Sequence, residues 1–293
     1  GGGGAGGGGG GGAGGGGGGG GGGPPPYQIA TVAQMRQGAS GAYELDNVIA
    51  IALSSSTTSP RLFFQDAGGG DFSAMMGKCS TSSMSHPCTV AATVSAATDG
   101  MKLTVKGTYL KSVAGYEEFY IDAVALGATT SMPAPVTAQL ADVQRNANRA
   151  KWWFQRVRVD LGTGALEMYD FSPTELKYSS PVGAPCPGFF GWGMVASTSP
   201  DTVGAACTGT TQPPTAVNGT APSDEILLGT DFYKTFPYSA DCACAALQQE
   251  TLLNGASTIT GSVGGILIGD TPFLQSTLYQ YLAPKSAGDA ALH

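Results

Sequence analysis

The sequence predicts an all-β protein, two successive small barrels behind an N-terminal polyglycine tract. Three observations carry that expectation. Short apolar segments alternate with period two between Gly- and Ser-rich turns. The order of segments in the first half starts again after Pro135. The first 23 residues are all Gly except Ala5 and Ala13. The expected divisions are a tail over 1–26, a first barrel over 27–130 and a second over 131–293.

Residues 1–23 have no side chains to bury. Ordering them costs the largest backbone entropy of any residue type and returns no hydrophobic gain. As a free coil the tract would span roughly 26 Å and act as a tether. Held in a fixed shape it would need outside partners, because extended polyglycine points every N–H and C=O outward. Other main chains are the only groups dense enough to meet them, which implies an assembly of copies. The assembly residues are then Gly1, Gly10 and Gly20 within the tract. Pro24, Pro25 and Pro26 stiffen its exit.

In the body, Thr31 to Arg36 reads as a short helical turn. Val48 to Leu53 is a buried-strand candidate and Arg61 to Asp66 a second. Gly68-Gly69-Gly70 marks a turn. From Met101 to Leu110 the apolar residues Met101, Leu103 and Val105 alternate with Lys102, Thr104 and Lys106. After a turn at Gly115, Tyr116 to Leu126 puts Phe119, Ile121 and Ala123 on one face. Ser131 to Pro135 reads as a linker. Beyond it Thr137 to Asp142 echoes the helical turn, and Arg156 to Leu161 the first strand. Ile226 to Gly229 echoes the second strand, and Ile259 to Val263 echoes Val105 to Tyr109. Leu274 to Leu282 would close the second set. Val48 lies 59 residues before Gly107, but Val157 lies 104 before Gly261, so the second copy carries long insertions.

This order, with its V-I-A-I-A strand, its L-F-F-Q-D strand and Gly turn, its V-x-G-T-Y strand and its F-x-I strand, resembles OB-fold-like β-barrel repeats. Such repeats occur in tandem in bacterial secreted and surface-lipoprotein sequences. Leu62 to Asp66 with Gly68 to Gly70, and the Val105-x-Gly107 step, carry most of the likeness. The segment Tyr281 to Asp289 is similar to the closing segment of such repeats. The resemblance covers residues 27–128 and 136–292. It implies two OB-like five-stranded barrels and a surface address, and no reaction.

Composition limits the function classes. Only 12% of residues are charged, the net charge is −7 and the pI about 4.7. Such a chain has little field to attract phosphates, which argues against nucleic acid. No run of about 18 apolar residues is present to span a membrane, and no leader precedes the body, as expected of a mature exported chain. Two histidines, His86 and His293, leave little for His-based metal sites or a Ser-His-Asp triad. No cofactor, metal or catalytic constellation is legible, and no G-x-S-x-G occurs.

The six cysteines, Cys79, Cys88, Cys186, Cys207, Cys242 and Cys244, form no C-x-x-C. An even count on a charge-poor, Ser- and Thr-rich chain fits disulfides in an oxidising compartment. Met75, Met76, Cys79, Met84, His86 and Cys88 crowd into 14 positions. They could offer soft ligands to Cu(I), or a Cys79–Cys88 bridge could close the loop over packed methionines. Cys242 and Cys244 form a C-x-C, and bridges from them to Cys186 and Cys207 fit better than a bond to each other, in a pairing the sequence leaves open. Asp66 and Asp71 could hold Ca²⁺ or simply frame a β-turn. Trp152, Trp153 and Phe154 could stack on a ligand or pack between the barrels. Asn218-Gly219-Thr220 matches a glycosylation sequon.

The expected function is that of a non-enzymatic extracellular or cell-surface protein. It would self-assemble, as fibre or surface layer, through its glycine tail and barrel faces. A surface-tethered module for a glycan or other ligand, with the tract as spacer, is the alternative.

Overall fold

The computed structural model describes residues 26–54, 58–113, 115–144, 147, 149–170, 192–197, 226–229, 232, 251–252, 258–270, 279–286 and 288–292. Gly1, Gly10, Gly20, Pro24, Pro25, Cys186, Cys207, Cys242, Cys244 and the Asn218 sequon lie outside the described residues.

The molecule is mostly β with short helices. The first sheet holds β1 (Gln28–Ala30), β2 (Gly41–Leu53), β3 (Arg61–Asp66), β4 (Ala74–Lys78), β5 (Met101–Lys111) and β6 (Glu117–Thr129). β2 pairs antiparallel with β3, and β3 with β4. β4 runs parallel to β6, β6 antiparallel to β5, and β5 returns antiparallel to β2. Five strands thus close a barrel, an arrangement consistent with the OB-like fold. β1 lies outside the ring, parallel to β2.

Local chemistry explains the shape. β2 must serve two edges, so it bends. Its register shifts between Leu45 and Val48, where Asn47 takes φ 55°. Asparagine is one of the few non-glycine residues that accept a left-handed conformation readily. α1 (Val32–Gln37) begins with a reciprocal cap: Thr31 Oγ1 accepts from the Gln34 amide at 3.1 Å, and Gln34 Oε1 accepts from the Thr31 amide at 2.9 Å. α2 (Ala91–Ser95) leads into β5. On β5 the alternation continues to Gly107 and Tyr109, both buried. A Cβ at Gly107 would stand 2.2 Å from the Tyr120 carbonyl oxygen and 2.6 Å from the Phe119 ring. Only a residue without a side chain fits there, which gives the Val105-x-Gly107 step its physical reason.

The second sheet begins with β7 (Val136–Ala138), parallel to β8 (Arg156–Asp170). Between them lie α3 (Leu140–Val143) and a 3₁₀ turn, Ala150–Trp152. β8 pairs antiparallel with β9 (Trp192–Ser197), and β9 with β10 (Ile226–Gly229). β11 (Thr251–Leu252) lies against β8. β12 (Thr258–Asp270) pairs antiparallel with β8, with β13 (Tyr279–Ala283) and with β14 (Ala290–Leu292). β10 meets β13 in parallel at Leu228 and Leu282.

Of the strands expected from the sequence, Arg61–Asp66 and Ile226–Gly229 recur with the same limits, those beginning at Val48, Met101, Arg156 and Ile259 are parts of longer strands, and the closing strand is described over Tyr279–Ala283; β4 is among the strands not expected. Met75 and Met76, expected beneath a loop, are instead buried strand residues facing Phe64 and Phe63 across β3. The strand is short and carries apolar side chains on both faces, so it lacks the alternation that marks an exposed strand.

Candidate functional site

The two sheets meet at a seam built around Arg36. Its side chain is 0% exposed and its partner Glu117 3%. Arg36 Nε donates to Glu117 Oε2 at 2.6 Å, Nη1 to the carbonyls of Ala74 (3.0 Å) and Trp153 (3.1 Å), and Nη2 to that of Ala150 (2.7 Å). Phe72 and Phe154 flank the guanidinium, each ring centroid 5.4 Å away. A buried guanidinium with this many acceptors joins the first sheet to the 3₁₀ turn of the second. Around it the Phe72 amide donates to the Lys151 carbonyl at 2.6 Å, and Gln155 Nε2 to the Gly70 carbonyl at 2.7 Å. Phe63 packs on Phe154 at 6.4 Å.

Gln280 fastens the second side of the seam. Its amide donates to the carbonyls of Asp142 and Gln144 and accepts from the Arg149 amide and Trp153 Nε1. All its hydrogen-bonding capacity is used in a fully buried position. By contrast Gln65 Oε1 and Gln155 Oε1 are buried with no donor.

Away from the seam a cleft of about 60 Å³ opens on the second sheet. Its walls include Pro135, Arg156, Arg158, Gly264, Lys285 and Asp289. Arg156 donates to the Pro133 carbonyl at 3.1 Å. Lys285 Nζ reaches the Ile51 carbonyl and Asp99 of the first sheet's side of the molecule.

Asp66 and Asp71 are not brought together as a cation site. Asp66 accepts from the Val32 and Ala33 amides, at the start of α1. Burial raises its carboxyl above the usual range, against the lowering effect of those two bonds. Asp71 accepts from Trp152 Nε1 and Lys151 Nζ, so it too belongs to the seam. Cys79 and Cys88 form a disulfide with Cα atoms 5.0 Å apart. His86, in the loop it closes, stacks on Tyr120 at 4.2 Å. Among the described residues no cluster of three His, Cys, Asp or Glu could hold a metal. Trp153 and Phe154 are buried in the seam, and Trp152 is partly buried. Pro26 is exposed. Among the described residues no helix is long and apolar enough to cross a membrane.

Sequence reasoning missed Arg36, Glu117 and Gln280. One signal was available: Glu117 has the same strand parity as Phe119 and Ile121, so its carboxylate faces the core and requires a buried cation.

No protein-family model and no curated protein matches this chain. Among solved structures it is similar to an "OBody AM1L10 bound to hen egg-white lysozyme", at 13% identity and TM-score 0.30, covering 36% of this chain and 96% of that one. It is also similar to an "OBody NL8 bound to hen egg-white lysozyme", at 13% identity and TM-score 0.26, covering 31% and 100%.

Proposed function

We propose that this chain is a non-enzymatic structural and interaction protein of the cell exterior. Copies would join through the polyglycine tract and the barrel faces. The observation that carries the reading is β1. This strand begins one residue, Tyr27, after Pro24-Pro25-Pro26 in the sequence, pairs only with β2 among the described residues, and holds Ile29 74% exposed. A strand with an uncovered edge is a template for another strand. The polyglycine that feeds it has no side chains to obstruct such pairing.

We further read residues 131–293 as a second OB-like barrel, of the tandem type found in bacterial secreted and surface-lipoprotein sequences. Support comes from the order β8–β9–β10–β13–β12–β8, which repeats the pairing order β2–β3–β4–β6–β5–β2. The Cys79–Cys88 bridge supports an oxidising, extracellular setting.

Light scattering and negative-stain microscopy test the assembly. The full chain is expected to form larger particles with rising concentration. A chain lacking residues 1–23, or carrying a Gly-Ser tract in their place, is expected to stay monomeric. A full chain that is strictly monomeric at high concentration overturns the reading. A second reading, a surface-tethered binding module with the tract as spacer, is favoured by the arginine-lined cleft on the second sheet. Full ligand binding by the Gly-Ser variant would support it over assembly.

A further inference from the structure

We propose that the cleft between β8, β12 and the residues Lys285, Gly288 and Asp289 is a binding site for an oxyanion group, a carboxylate or a sulfate. This goes beyond the assembly reading and does not depend on the glycine tract.

Arg156 and Arg158 are two residues apart on β8, so both side chains leave the same face, while Val157 and Val159 between and beside them are buried. Two positions on a strand are roughly 7 Å apart, a separation over which two guanidinium forks can converge on one group of oxygens. Across the sheet, Gly264 stands opposite Arg158 and Gly265 opposite Val157. No side chain rises from β12 at those positions, so the ground in front of Arg158 is bare backbone. A Cβ at Gly264 would already stand 3.0 Å from the Val157 carbonyl oxygen.

The wall opposite is held in place. The Gly264 amide donates to the Asp289 carbonyl at 2.6 Å. Asp289 Oδ2 accepts from the amides of Lys285 (2.9 Å) and Ser286 (3.2 Å) and from Ser286 Oγ (3.4 Å). That wall is therefore tied both to itself and to β12, and the cleft exists without a ligand to shape it.

Charge decides the ligand. Four ionisable groups line the cleft: Arg156, Arg158, Lys285 and Asp289. Lys285 is paired with Asp99, so its charge is matched. Asp160, on the same face of β8 as the two arginines, holds the Gly162 amide at 2.9 Å. Arg156 gives one donor to a neutral carbonyl, that of Pro133. Arg158 is exposed and has no carboxylate partner among the described residues. The two guanidinium groups thus stand beside two carboxylates, Asp160 on their own strand face and Asp289, whose Oδ2 already accepts three donors. Arg158 is a cation among them that makes no ion pair among the described residues, and its guanidinium is open to solvent. Guanidinium favours planar, two-pronged recognition of carboxylate and sulfate.

The test is an NMR titration of the full chain with sodium sulfate, against sodium chloride at matched ionic strength to remove general screening. Glucuronate and a sulfated disaccharide form parallel arms that separate a free ion from a sugar-borne group. Saturable shifts are expected at the amides of Gly264, Gly265 and Gly288. Arg158→Ala should weaken binding at least ~10-fold, the loss of one charge-assisted contact. Arg158→Lys should recover only part of it. Lys102→Ala, a cation on the first barrel, should leave affinity unchanged. Arg158 is exposed, so an unaltered thermal midpoint is expected and separates lost binding from lost folding. The proposal is overturned if sulfate and chloride give the same shifts, if the shifts spread evenly over the surface cations, or if Arg158→Ala binds as the parent does.

Discussion

Replacing Arg36 by methionine removes the guanidinium that holds four oxygen acceptors at once, while keeping a long apolar stem in the seam. The loss can be sized from the structure. Glu117 would remain buried, with Lys111 Nζ at 3.4 Å as its nearest remaining cation. The carbonyls of Ala74, Ala150 and Trp153 would each lose a donor. Breaking one side of a buried ion pair costs ~3–5 kcal/mol, because the other charge stays behind unmatched. That is a large share of the ~5–15 kcal/mol that holds a typical domain. Urea unfolding followed by tryptophan fluorescence would read it, since Trp152 and Trp153 both belong to the seam. The second variant is decisive. Arg36→Met combined with Glu117→Met removes both charges, so most of the loss should be recovered if the orphaned carboxylate is its source. A single variant within ~1 kcal/mol of the parent, or a double variant no more stable than the single, would refute the account of Arg36 as the buried tie between the sheets.

Further expectations follow from other contacts. Changing Cys79 and Cys88 to alanine should lower stability by ~2–3 kcal/mol, the chain-entropy value for a loop of this length, as read from denaturant midpoints. Gly269→Ala should cost ~1–3 kcal/mol or more by overpacking, because its new Cβ would lie within 2.5 Å of three atoms of the Trp153 ring; the red shift of Trp fluorescence would report the displaced indole. Alkali should act through Tyr109. Its hydroxyl is raised well above its ordinary value near 10, first by burial and then by the Glu117 carboxylate. A raised folded value means its contribution is fully present below the unfolded value and is lost as pH climbs through and beyond it. Denaturant midpoints should therefore hold steady up to about pH 9 and fall above it, and Tyr109→Phe should flatten that fall.

The legible part of this fold was the part encoded by local periodicity. β5 and β6 alternate along the chain, so their inward faces could be read directly. Thr31 with Gln34 announces a helix start by composition alone. What stayed hidden depended on residues far apart in sequence. Arg36 and Glu117 are 81 residues apart, and Gln280 serves carbonyls more than 130 residues away. An arginine in the last turn of a short helix reads as a solvated charge complementing the helix dipole, until the second sheet arrives to bury it. The same holds for Asp71, whose partners Lys151 and Trp152 come from beyond the linker. Of the expected bridges only Cys79–Cys88, nine residues apart, falls within the described residues. The cleft was not legible at all, because Arg158 gains its meaning from Gly264, placed opposite it by the β8–β12 register.

The polyglycine tract sets the energetic condition any assembly must meet. Fixing a residue's backbone costs ~1–2 kcal/mol, so ordering 23 of them costs ~23–46 kcal/mol, more than the net stability of a whole domain. Burial of apolar side chains cannot offset this, because there are none beyond Ala5 and Ala13. The exposed edge of β1 is three residues long and could host only a short stretch of a neighbour's tract. It can therefore set where a tail begins to pair, but not hold the length of it. The remaining N–H and C=O groups can be matched only by other tails lying alongside, each adding the same unobstructed backbone. An assembly through this segment thus has to be built from many tracts packed together, with β1 as its point of entry, whereas a simple pair of copies would leave most of the tract as free chain.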